Sequence, residues 1–187
     1  MSDWHAIVVE GGERAVHAFV AGFLADRQMD PASVVFGDDV GLEHESLVER
    51  LRALVKGGHH ALLVPHDLAA PVVEALSRVG GDVGLRVADR HPIAGASFDV
   101  EAEVYSREVA MAIRAALQAP ADGVHVEQHT EREEVCPDHE GVELYAPVHD
   151  YTYRVGARVA GALGGVLAVR RQLGAIEAVR MSPLHLV

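Results

Sequence analysis

Four short strings in the first half of the chain together hold most of what a polar site needs: glycines, paired carboxylates and two histidines. They are Glu10-Gly11-Gly12-Glu13, Gly37-Asp38-Asp39, Pro65-His66-Asp67 and Asp89-Arg90-His91. Carboxylate oxygens beside imidazole nitrogens suit a divalent cation such as Mg, Mn or Zn. This assigns Asp38, Asp39, His66 and Asp89 as candidate metal ligands. The same types suit acid–base chemistry, with a histidine carrying the proton and an aspartate orienting it. His66, Asp67 and His91 are the candidate catalytic residues, and His66-Asp67 is the best adjacent pair. Gly11 and Gly12, just before a helical stretch, are candidate cofactor-binding residues that could cradle a phosphate. Against that stand Glu10 and Glu13, which repel an anion, and the absence of both GxGxxG and a P-loop lysine. A helix cap is the competing reading of Asp67.

The second half offers a weaker set. His125 and His129 fall on one face of a strand but about 13 Å apart, too far to share an ion directly. Cys136-Pro137-Asp138-His139 resembles half of a zinc site whose other half is missing. An acidic strand with Glu127, Glu131, Glu133 and Glu134 reads more simply as a solvated face. His149 to Arg154, with Tyr151 and Tyr153, could line a pocket between the two halves, but suits cross-strand pairing or an oligomer interface better. His59-His60 precede a strand and read as surface. No GxSxG nucleophile motif is present.

The elements that must position these residues follow from hydrophobic spacing. Short runs at Ala6–Val9, Ser33–Phe36, Ala61–Val64 and Val83–Val87, mostly apolar, read as strands. Helical stripes fall between them, over Glu13–Arg27, from about Glu45 to a stop at Gly57-Gly58, and over Leu68–Val79 to Gly80-Gly81. Strand and helix alternate over short connections, which implies a parallel βαβ-type sheet. In such a sheet the four strings meet at one edge, beyond the carboxyl ends of the strands. From Phe98 the pattern changes. Phe98, Val100, Ala102 and Val104 alternate with Asp99, Glu101, Glu103 and Tyr105, as in a half-exposed strand. Ser106 caps a helix to Gln118, two β-like segments flank a turn at Pro137–Gly141, a helix spans about Ala162–Ile176 and a strand ends the chain. That order, βαββαβ, is ferredoxin-like.

The fold expected is therefore α/β, a parallel Rossmann-like half over residues 1–95, followed by a ferredoxin-like α+β half over 96–187, with one core shared between them. No residue repeat is visible.

Composition bounds the function. The chain has 187 residues, 49% hydrophobic and 24% charged, which is globular rather than disordered. A net charge of −12 argues against nucleic acid as a partner. Cys136 is the sole cysteine, so there is no disulfide framework. Met1–Glu10 has no signal-peptide character, and Val159–Val169 is too short and glycine-rich to span a bilayer. A cytoplasmic protein without a membrane partner is expected. Lysine is confined to Lys56 and asparagine is absent, which points to a GC-rich bacterial genome rather than to a function.

The leading expectation is a cytoplasmic protein that binds a small molecule or a metal ion, with a divalent cation as the candidate cofactor. A metal-assisted or acid–base lyase, isomerase or hydrolase acting on a small polar substrate is the first alternative. A structural protein that forms homo-oligomers is the second. Twelve histidines make charge and assembly candidates for pH sensitivity below about pH 6.5.

Overall fold

A computed structural model of the chain describes residues 4–40, 58–118, 123–135 and 150–187. They divide into two compact units. One comprises Met1–Ala96 with Ala162–Gly164 and Pro183–Val187, and the other comprises Ser97–Gly161 with Gly165–Ser182.

In the first unit β1 (Trp4–Glu10) leads through α1 (Glu13–Asp26) to a two-residue strand, β2 (Val35–Phe36). After residues 41–57, which lie outside the described residues along with the helix expected from about Glu45, come β3 (His59–Pro65), α2 (His66–Val83) and β4 (Arg86–Ile93). The sheet order is β2-β3-β1-β4. Every adjacent pair is antiparallel: Ile7 faces both Leu62 and Arg90, and Phe36 faces Leu62.

The parallel first half is therefore corrected. Ala6, Ile7, Val8 and Val9 on β1, and Ala61, Leu62, Leu63 and Val64 on β3, are all buried. A strand buried on both faces loses its period-2 pattern whichever way it runs. An unbroken apolar run thus carried no information about direction. One face, with Ile7, Val9, Leu62 and Val64, packs on Val16, Val20, Phe23 and Leu24 of α1 and on Leu68, Val72 and Leu76 of α2.

The helix expected to stop at Gly80-Gly81 runs to Val83, where Gly84 at φ 71° ends it and the Leu85 N–H donates to the Gly80 carbonyl. Gly80 serves close packing instead: a Cβ there would lie 2.7 Å from the Leu85 carbonyl oxygen. β4 starts three residues later than expected and runs on to Ile93, so Asp89-Arg90-His91 belong to a strand and not to a loop.

The second unit contains β5 (Ala96–Val104), α3 (Arg107–Gln118), β6 (Val124–Val135), β7 (Asp150–Gly161), α4 (Leu163–Gly174) and β8 (Val179–Met181), and β9 (His185–Leu186) closes the chain. Its sheet order is β6-β7-β5-β8, with β9 pairing β5 off this path, so the one strand expected at the end of the chain forms as two. This is the expected βαββαβ, ferredoxin-like arrangement. The first unit has the same order, strand for strand, so the two halves repeat a topology that no residue repeat discloses. Along β5 burial alternates as the sequence implied, with Phe98, Val100, Ala102 and Val104 buried and Asp99, Glu101 and Glu103 exposed. Ser106 Oγ accepts from the Val109 N–H at 3.4 Å, the cap expected of it. Among the described residues, no helix is long and apolar enough to cross a membrane.

Candidate functional site

Antiparallel pairing redistributes the four strings. β1 pairs with β3 from Trp4↔Pro65 to Glu10↔His59, so the end of β3 lies beside the start of β1. His66 and Asp67 therefore sit at the edge opposite Gly11 and Gly12. Asp38 and Asp39, after β2, lie at the Gly11 edge, where the Gly37 N–H reaches the Ala61 carbonyl and Asp38 comes within 3.8 Å of His60. His59-His60, read as surface on the wrong edge, thus share an edge with two of the proposed metal ligands.

Asp89 and His91 are separated again, by face. Registered partners in an antiparallel pair share a face, and neighbours along a strand alternate. Asp89 faces Val8 and His91 faces Ala6, whereas Arg90 faces Ile7 on the helix-covered side. His91 Nε2 lies 2.8 Å from Asp89 Oδ2, but without hydrogen-bond alignment, so this buried nitrogen has proximity rather than a bond. The single composite site expected from the sequence does not form. Among the described residues, no group of three or more His, Cys, Asp or Glu side chains converges as a cation requires. Cys136, His139 and His149 lie outside the described residues.

The glycine edge does not make a phosphate cradle. The Gly11 N–H is already donated to the Gly58 carbonyl at 3.0 Å, and the Gly12 carbonyl accepts from Ala15 and Val16 as α1 begins. Gly11 instead permits close approach: at φ 153°, a Cβ on it would lie 2.4 Å from a Leu85 methyl. An open cleft of about 800 Å³ at this edge is walled by the Glu10–Arg86 ion pair and floored by Leu76 and Leu85.

A connected polar cluster forms at the other edge around His5, a residue outside all four strings. His5 is 8% exposed, facing Val64 and Pro92 from its place near the start of β1. Its Nε2 lies 2.9 Å from His66 Nδ1, and Arg90 Nε donates to His5 Nδ1 at 3.4 Å. A guanidinium can only donate. His5 Nδ1 is therefore the acceptor, the proton of neutral His5 resides on Nε2, and that proton is donated to His66 Nδ1. The remaining nitrogen of His66, on an exposed residue, is left to carry an N–H outward. Burial first, then the positive charge of Arg90 and the electrostatic influence of His66, hold the His5 pKa below its ordinary value, so the neutral form is favoured.

Local sequence explains this placement. His66 is the first residue of α2, and Pro65 before it has no side chain able to cap, so no side-chain acceptor covers the first-turn N–H groups. Asp67, in that first turn, is exposed and does not cap the helix. Arg90 takes its face from the β4 register. His5 was detectable in principle, because His5, Ile7 and Val9 share one phase of the strand. A histidine on a core-facing phase is a buried polar group that needs partners.

No protein-family model matches the chain, and no curated protein matches it. Solved structures give long but shallow likenesses. One is to an unknown protein from Galdieria sulphuraria, at 16% identity and TM-score 0.33, over 99% of this chain and 98% of that one. Another is to the ligand-free regulatory subunit of aspartate kinase from Thermus thermophilus, at 19% and 0.34, over 95% of each. A third is to the CRISPR-associated protein Cas6e from Escherichia coli, at 11% and 0.27, over 96% of this chain and 99% of that one. At these scores the likenesses carry no argument about what this chain binds.

Proposed function

We propose that the chain binds a small anionic molecule, a carboxylate or a phosphate ester, at the Arg90–His5–His66 edge of the first sheet. The observation that carries this reading is the partner of Arg90. In a chain of net charge −12, this guanidinium donates to a neutral imidazole and, among the described residues, has no carboxylate within ion-pair distance. The outward His66 N–H and the uncapped first turn of α2 add donors beside it. The same guanidinium disfavours a cation between the two imidazoles, so a small anion suits this edge better than a metal ion.

Thermal unfolding with added inorganic phosphate or citrate, against chloride at equal ionic strength, tests the reading. Stabilisation is expected in the parent chain, weakened about tenfold in apparent affinity by Arg90→Ala, the loss of one charge-assisted contact. Asp67→Asn, which removes a competing carboxylate, is expected to tighten binding. Equal stabilisation of the parent and Arg90→Ala would sink the proposal.

One observation favours an acid–base enzyme as the second reading. The Arg90–His5–His66 chain fixes the tautomer of His66 and presents its N–H as a hydrogen-bond donor able to polarise a substrate carbonyl. In that case His66→Gln abolishes turnover of a small polar substrate while anion binding survives.

A further inference from the structure

The edges of the two sheets are unequal. Unpaired strand edges invite other chains, and proteins blunt them by shortness, bulges or proline. β2 has two residues and β8 three. β4 has a register break opposite Val8/Val9 and carries Pro92. β6 has none of these three and carries charged side chains instead: it is twelve residues long and pairs with β7 from Val124↔Gly161 to Val135↔Asp150 without a bulge. Among the described residues, β7 is its one strand neighbour.

One face of β6 carries the odd-numbered residues His125, Glu127, His129, Glu131 and Glu133. Within the strand, His125 Nε2 is 3.6 Å from Glu127 and His129 Nε2 is 2.9 Å from Glu131. Both histidines and both glutamates are largely exposed. From β7, Arg158 faces Glu127 and Arg154 faces Glu131.

A second copy can add to this edge antiparallel, about a two-fold axis normal to the sheet, which keeps odd-numbered residues on one face. The charges then select the register. With the axis at Glu127, His125 meets the partner's His129 and Glu127 meets its own copy. With the axis at His129, His125 meets the partner's Glu133, but Glu127 meets the partner's Glu131 and His129 meets its own copy. With the axis at Gln128, His125 faces the partner's Glu131 and Glu127 faces the partner's His129. On the other face Val126 then faces the partner's Thr130. The nine residues Val124–Arg132 are self-complementary in this register, and an imidazole opposite a carboxylate is favourable where like groups are not.

We infer that β6 is a homodimerisation edge, joining two copies antiparallel about Gln128 into one continuous sheet. Its occupant is a second copy of this chain because the pattern complements itself.

Light scattering on the full chain across a dilution series is expected to show a dimer. Glu127→Lys with Glu131→Lys is expected to return it to a monomer that stays folded by circular dichroism, with a lower melting temperature because the lysines face Arg158 and Arg154. Adding His125→Glu and His129→Glu to that pair restores opposite charges at each position and is expected to restore the dimer. In a Cys136→Ser background, oxidation is expected to link Gln128→Cys across the axis. Thr130→Cys does not link, because its symmetry mate is about 13 Å away along the strand. A parent chain monomeric at every concentration, or equal cross-linking at 128 and 130, overturns the inference.

Discussion

Adjacent positions mean different things in the two sheets. On β3 of the first sheet, Leu62 and Leu63 are both fully buried although they point to opposite faces. On β5 of the second, Val100 is buried and Glu101 is exposed. The strand order is the same. Topology alone therefore does not set how a strand reads; what meets each face does. The first sheet hides apolar side chains on both faces and keeps its polar cluster at an edge. The second keeps an open face where Arg154 pairs with Glu103 and Glu133 around a shallow groove containing His129 and Gly156. His129 holds the Glu131 carboxyl below its ordinary pKa through their hydrogen bond, and Glu103 raises that of Arg154.

The largest expected effect breaks the first sheet at consecutive residues. Leu62→Ala and Leu63→Ala should each cost about 2–5 kcal/mol in denaturant unfolding, through lost burial and the cavity left behind. A small cost at either would mean that one face of that sheet is not sealed.

Glycine substitutions sharpen the contrast at the strand ends. A Cβ at Gly161, where φ is 149°, would lie 2.1 Å from the Gly123 carbonyl oxygen. At Gly11 the nearest atom is the end of a leucine side chain, although the Gly84 carbonyl oxygen is 3.0 Å away. Both alanine variants carry backbone strain of order 1–3 kcal/mol. Gly161→Ala should be the worse, since backbone yields less than a methyl group, and melting curves would rank them.

Next comes pH. His5 has a lowered pKa in the folded state, so the unfolded chain binds a proton first as pH falls through about 6.5. The stabilisation from neutral His5 is complete above that value and is lost progressively below it. His5→Gln removes this titration, so its melting temperature should vary less between pH 5 and 7 than that of the parent. Identical slopes would show that other groups set the acid limit.

The smallest effect is expected on the open face of the second sheet. Glu101→Ala should change stability by no more than about 0.5 kcal/mol, as for other exposed positions. A larger loss would mean that this face is covered in solution.

The sequence by itself determined most elements and one complete topology. Period-2 alternation fixed β5, Ser106 fixed the start of α3, and the order βαββαβ fixed the second sheet, because half-buried strands and capped helices write their environment into local spacing. Tertiary structure decided the direction of the first sheet. An apolar run such as Ala61–Val64 satisfies either direction equally, and hydrogen bonds between strands distant in sequence make the choice. Reversing those strands moved His66 away from Gly11 and brought in His5 from sixty-one positions away, and extending β4 to Ile93 put Asp89 and His91 on the opposite face from Arg90. Residue types announced that a polar site was available. Which of them meet is a property of register, and register is written across the sheet rather than along the chain.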